Sequence, residues 1–145
     1  MSDQSAHPLI RGYVPGAWDM FHIGHLNILQ RARELCDFLI VGVATDEALI
    51  AAKGRDPLVP LAERMIVVES MDLVDQVVID YGGNKADVWR RVPFDVVIKG
   101  DDWKGTPKGD RLEADMAEVG VTVRYFPYTA HTSSRALRAL LGESA

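Results

Sequence analysis

The chain has 145 residues, 48% of them hydrophobic and 26% charged, a balance that suits one globular domain and excludes disordered and collagen-like classes. Against 21 Asp and Glu stand 16 Lys and Arg, a formal charge of −5, which speaks against a broad nucleic-acid surface because such a surface needs a positive field to displace counterions. A local phosphate pocket remains compatible with that charge.

In chain order, the apolar run Leu9 to Val14 reads as a first strand. Phe21, His25, Ile28, Ala32 and Leu35 then recur at helical spacing and give a face that can pack on a sheet. Phe38 to Ala44 is a second strand, and Pro60 to Met71 a helix. Gln76 to Asp80, Asp95 to Lys99 and Thr122 to Phe126 complete the strand-like runs, separated by stretches that fit helices. Ser133 to Leu141 closes the chain as a helix, with hydroxyl residues before it to cap the first turn and Gly142 to stop the last.

Strands alternating with helices predict an α/β, Rossmann-like, doubly wound parallel sheet of about five strands with helices on both faces. No repeat, linker or low-complexity tract divides it, so residues 1–145 read as a single domain, with 1–7 and 142–145 flexible. Ligands of such sheets bind beyond the strand carboxyl ends. Three chemically rich loops fall there: Pro15 to His25, Lys99 to Trp103 and Pro127 to Ser134.

Met1 to His7 lacks the basic and apolar regions of a secretory leader. The longest apolar clusters, Phe38 to Val43 and Val96 to Ile98, are far shorter than the about 20 residues of a membrane-spanning helix. Cys36 is the one cysteine, so no intrachain disulfide can form. A buried structural thiol and a cytoplasmic location are the expectations.

The first loop reads Gly16-Ala17-Trp18-Asp19-Met20-Phe21-His22-Ile23-Gly24-His25. His22 and His25, three residues apart, are neighbours on one side of a helix whose first turn offers free N–H groups and a positive dipole end. A phosphate is the natural guest, and Gly24 lets a nucleotide come close. The same residues also read as two surface histidines and a tolerated glycine. No acidic or cysteine partner stands at a metal-ligand spacing. Asp101 and Asp102 suit hydrogen bonds to a ligand, the ordering of Trp103, or simple loop capping. Thr132, Ser133 and Ser134 suit either phosphate binding or capping of the last helix.

His-x-Gly-His at the first strand-to-helix turn, preceded by Gly-x-x-Asp, resembles the nucleotidyltransferase superfamily of cytidylyltransferases, pantetheine-phosphate adenylyltransferase and class I aminoacyl-tRNA synthetases. Ala44-Thr45-Asp46-Glu47, Glu63-Arg64, Val74-Asp75, Lys99-Gly100-Asp101-Asp102-Trp103 and Thr132-Ser133-Ser134 follow in the family's order. Gly-Asp-Asp-Trp is similar to the glycerol-3-phosphate cytidylyltransferases.

The resemblance implies in-line attack of a substrate phosphate on the α-phosphate of CTP, with release of pyrophosphate. The acceptor would be a small phosphorylated alcohol, glycerol 3-phosphate first, and the assembly a homodimer. Catalysis of this kind is positioning and charge stabilisation. By the same match His22, His25 and Lys53 are catalytic. Ala17, Trp18, Asp19, Gly24, Arg55, Arg64, Gly100, Asp101, Asp102, Tyr128, Thr129, His131, Thr132, Ser133 and Ser134 bind the nucleotide. Mg²⁺ would ride on the triphosphate with no dedicated protein cage.

The match gives Arg64 either the loop or the nucleotide to hold. Without it Lys53, in a flexible-looking segment, reads as a solvated cation, Arg64 as a helix-surface ion pair, and Trp103 as loop packing. Two departures stand out. Tyr128 to Ser134 lacks the family's arginine and glycine, with His131 a partial substitute, and Asp72 stands where glycerol-phosphate enzymes carry an arginine. The acceptor's cation would then come from Arg11, Lys85, Arg90 or Arg91, or the acceptor differs. An adenylyltransferase, or a nucleotide-binding protein without turnover, is the alternative reading.

Overall fold

A computed structural model describes residues 9–127 and 133–142. Tyr128, Thr129, His131 and Thr132 lie outside the described residues, as do the chain ends 1–7 and 143–145.

Five strands, β1 (Arg11–Gly16), β2 (Phe38–Ala44), β3 (Gln76–Asp80), β4 (Val96–Gly100) and β5 (Thr122–Phe126), form one sheet in the order β3-β2-β1-β4-β5. Every pairing is parallel. The expected doubly wound sheet is therefore the one observed. Near-continuous apolar runs such as Phe38–Ala44 suit it, because strands in a covered parallel sheet bury both faces.

The alternation of side chains along β1 sorts the core into two layers. Val14 joins Val41, Val43 and Ile98 beneath helices α1 (Ile23–Leu35) and α3 (Leu61–Glu69), which contribute Leu29, Ala32 and Val68. Tyr13 joins Ile40 and Val97 on the other face, beneath α4 (Ala86–Arg91) and α5 (Pro107–Ala117) with Val88, Leu112 and Met116. Cys36 is buried as expected, its thiol donating to Ala32 O at 3.2 Å.

Two differences from the sequence reading bear on the site. β1 runs through Pro15 to Gly16, two residues past the end of the apolar run at Val14. The proline is tolerated because β1 registers with β4 at Gly12 and Tyr13, so the missing donor falls beyond that ladder. The segment holding Lys53 is helix α2 (Asp46–Lys53), capped by Thr45 Oγ1 on Ala48 N at 3.0 Å. Gly54 ends it at φ +75°, a left-handed position that glycine adopts without a Cβ clash.

The chain leaves β1 toward β2 and β3, then returns to place β4 on β1's other side. β1 and β4 thus flank the topological switch point, where open α/β sheets bind ligands.

Candidate active site

A cleft of about 850 Å³ opens over the carboxyl ends of β1 and β4, floored by Val14 to Gly16 and Ile98 to Gly100. The turn from β1 into α1 forms one wall, in an unusual conformation. Trp18 and Met20 take φ +58° and +54°, left-handed values that cost a non-glycine residue of order 1–2 kcal/mol. Burial of Trp18 and its indole N–H donating to Gly42 O at 2.9 Å hold the turn there.

That turn delivers His22 to the N-cap of α1, which begins at Ile23, two residues after the Phe21 where the helical spacing began. Its Nδ1 accepts from Gly24 N at 3.0 Å, while His25 Nδ1 accepts from His22 N at 3.2 Å. The two rings stack with centroids 3.9 Å apart. With both Nδ1 atoms acting as acceptors, the protons of the neutral rings sit on Nε2, so each imidazole keeps one donor for a ligand. Burial lowers the pKa of His22; burial and then the charge of His22 push His25 down to about 3. Both histidines line the cleft with Gly24.

Around them six cationic side chains, Lys53, Arg55, Lys99, Lys108, Arg135 and Arg138, face three carboxylates, Asp19, Asp56 and Asp102. In a chain of net charge −5 this concentration of cations marks an anion site. Partial burial of its amine end, then the nearby Arg55, Arg138 and Lys108, lower the pKa of Lys53, which an arriving phosphate would reverse. Arg55 Nε is buried and has no hydrogen-bond partner among the described residues.

Asp19 lies in the cleft but its carboxylate is already engaged. It accepts from Leu58 N and Val59 N, each at 2.9 Å, and from Arg138 on helix α6 (Ser134–Leu140). Ser134 Oγ donates to Asp19 O at 2.6 Å. Asp19 therefore positions three segments around the cleft, in place of the direct nucleotide contact the sequence suggested. Ser133 caps α6 through Ala136 N at 3.0 Å.

Arg64 is a clear correction. It is 1% exposed and absent from the cleft lining. Its Nε donates to Val59 O, one amine to Ala17 O and Ala44 O, all at 2.7 Å, and the other to Asp46 Oδ1 at 2.5 Å. It ties the loops after β1 and β2 to α3 and leaves no face for a nucleotide. Asp101 is exposed and outside the lining, unlike Gly100 and Asp102. Trp103, in the same 3-10 turn, has Lys99 Nζ 3.8 Å from its ring centroid, so loop packing and a cation occupy it.

Asp72 is exposed and precedes β3, whose first pairing partner Ile40 lies in the early part of β2. It therefore sits toward the sheet's amino edge, away from the cleft. None of Arg11, Lys85, Arg90 and Arg91 lines the cleft. Arg11, Lys85 and Arg90 pair with Asp95, Asp80 and Asp87, and Arg91 donates to Ile79 O at 3.1 Å.

The cleft cations missed by the sequence reading are Lys99, named there only as part of a motif, with Lys108, Arg135 and Arg138. Two signals pointed to them: Lys108 follows Thr106-Pro107, a cap and first helical residue, and Arg138 lies four residues after Ser134, on its helix face.

The cytidylyltransferase-like family matches residues 13–139. The chain belongs to that family. This family member is 36% identical over 125 residues to glycerol-3-phosphate cytidylyltransferase of Bacillus spizizenii, covering 85% of the chain and 90% of that protein. It is 42% identical over 120 residues to FAD synthase of Pyrococcus horikoshii, covering 82% and 81%. It is 41% identical over 116 residues to ethanolamine-phosphate cytidylyltransferase of Arabidopsis thaliana, covering 77% of the chain but 27% of the plant protein. The bifunctional protein HldE of Nitratiruptor is spanned to a similar 26%. The fold is shared with the lipopolysaccharide core biosynthesis protein of Thermoplasma volcanium, at TM-score 0.70 and 22% identity over 86% of the chain and 100% of that one. No helix among the described residues is long and apolar enough to cross a membrane.

Proposed function

We propose that the protein transfers CMP from CTP to the phosphate of a small phosphorylated alcohol, glycerol 3-phosphate first. The observation that carries the reading is the pair of neutral imidazoles, each with one Nε2–H donor to spare, at the start of α1 inside a cation-rich cleft. Two relatives are themselves named for transfer to glycerol 3-phosphate and ethanolamine phosphate.

An oxygen of the acceptor phosphate attacks the α-phosphorus of CTP. The new P–O bond forms as the bond to the β-phosphate oxygen breaks, and the electron pair leaves on pyrophosphate. A dianionic acceptor needs no base, so the protein supplies placement and charge. His22 and His25 donate to non-bridging oxygens where negative charge grows. Lys53 and Arg55 approach the β- and γ-phosphates, and Asp19 with Arg138 holds the wall against which the nucleotide lies.

Among the described residues no group of three or more His, Cys, Asp or Glu side chains is arranged to hold a metal. Asp102 lines the cleft as a carboxylate. That donor set suits Mg²⁺ brought by the triphosphate, which keeps most of its waters and neutralises phosphate charge.

The test is pyrophosphate release with Mg²⁺ present, screening CTP and ATP against phosphorylated alcohols and sugars and their unphosphorylated forms. Turnover with CTP and a phosphorylated alcohol supports the reading. Turnover with ATP alone would move the protein to the adenylyl side, which the FAD synthase relative makes the second reading. Pyrophosphate release with neither nucleotide would leave a binding protein.

A further inference from the structure

The two histidines and Lys99 reach the cleft from opposite faces of the sheet. α1 packs with Val14 and Ile98, whereas Lys99 continues the Val97 side that carries α4 and α5. In-line transfer requires the attacking and leaving oxygens on opposite sides of the α-phosphorus. An α-phosphate held by the histidines on the α1 face can receive its attacker from the other face. Lys99 stands on that face.

Its ammonium is held in an unusual way. Nζ lies 3.8 Å from the Trp103 ring centroid, and Lys108 Nζ lies 5.8 Å from the same centroid. Among the described residues no hydrogen bond or ion pair to Lys99 Nζ is formed, so its partner is a ring face, which a phosphate can replace. The Trp103 backbone is fixed, its carbonyl oxygen accepting from Thr106 Oγ1 at 2.6 Å and lying so close to Gly109 that a Cβ there would collide with it. Burial, then Lys85 nearby, lower the Lys99 pKa to about 8, with Asp102 and Asp80 opposing and Lys53 assisting.

Resting on the reading above, we propose that Lys99, parked on Trp103 and seconded by Lys108, binds the phosphate of the acceptor. The cation that Asp72 fails to supply is thereby provided from β4 and the start of α5. Recognition at this point requires a terminal phosphate, whatever alcohol it carries.

Two readouts test this. Lys99→Met keeps the stem but removes the charge, and is expected to raise KM for glycerol 3-phosphate at least tenfold with KM for CTP within about twofold; Lys99→Arg should recover part of the loss. Separately, titrating the ¹⁵N-labelled full chain with glycerol 3-phosphate, and in a second arm with inorganic phosphate, should move the Trp103 indole resonance, identified by its loss in Trp103→Phe. The shift should vanish in folded Lys99→Met. If turnover is found but KM and the indole signal ignore Lys99, or if KM for CTP changes instead, the acceptor-site proposal is wrong while the transferase reading stands. If no acceptor turns over yet the indole responds through Lys99, the transferase reading falls and the phosphate site stands. An indole that responds to neither titrant in the wild-type chain overturns the site.

Discussion

Arg138, near the end of the described chain, donates to the carboxylate of Asp19, 119 positions earlier, and both side chains are almost wholly buried. Leu58 N and Val59 N occupy the same carboxylate. One acid thereby fixes the turn before α1, the loop before α3 and the last helix around a single cleft.

Arg138→Met is expected to destabilise the protein by roughly 3 kcal/mol, because breaking a buried pair strands the remaining charge. Transfer should fall on the order of tenfold to 10²-fold as α6 shifts. The check is a double-mutant cycle with Asp19→Asn in urea denaturation, in which the two losses should fall well short of adding. Additive losses would show that the pair does not act as a unit.

His22 has two tasks that can be separated. His22→Asn retains an N-cap acceptor but lacks an Nε2 donor at that reach, so melting should change little while kcat falls by roughly 10²- to 10³-fold. His22→Ala should lose both, with about 1 kcal/mol of stability gone as well. Near wild-type kcat in folded His22→Asn would remove the histidine from the chemistry.

The lowered pKa of His25 fixes the sign of a pH effect. The unfolded chain takes up a proton near pH 6.5, and the folded site resists it until about pH 3. Stability contributed by this site is therefore full above pH 6.5 and declines as pH falls toward 3. Denaturant midpoints measured from pH 7.5 to 4.5 should fall, and should fall less in His25→Gln. Parallel profiles would sink the assignment.

Arg64→Met should be among the most damaging single changes, at roughly 3 kcal/mol, since it leaves three carbonyl oxygens without their donor, whereas the Asp46 carboxylate, 35% exposed, can turn to water. Arg64→Lys should rescue only partly, because one ammonium cannot span the four acceptors. Equilibrium unfolding measures both.

The sheet was legible because its strands are short Val/Ile-rich runs bounded by turns, and Phe38–Ala44, Gln76–Asp80 and Thr122–Phe126 fall where the apolar pattern placed them. Helix α2 escaped notice because its caps, Thr45 and Gly54, flank a segment whose Lys-Gly-Arg end looks like a loop. Arg64 was misread for a different reason. An arginine's role is decided by which acceptors surround it, and Ala17 and Ala44 lie 47 and 20 positions away. Nor could spacing reveal that Asp19 faces inward, since its three partners come from one distant loop and from helix α6. The histidine pair was legible because both members lie on one helical turn.

The tie between Asp19 and the segment Ser134 to Arg138 also has a temporal meaning. Synthesis proceeds from the amino end, so β5 is finished before α6 leaves the ribosome tunnel. A nascent chain stalled with Phe126 outside the tunnel and α6 still within it would expose all five strands, both histidines and Lys99, yet the wall beside Asp19 would still be open. Nucleotide capture should then begin only once the final helix emerges, a delay that binding assays on stalled chains of graded length would time.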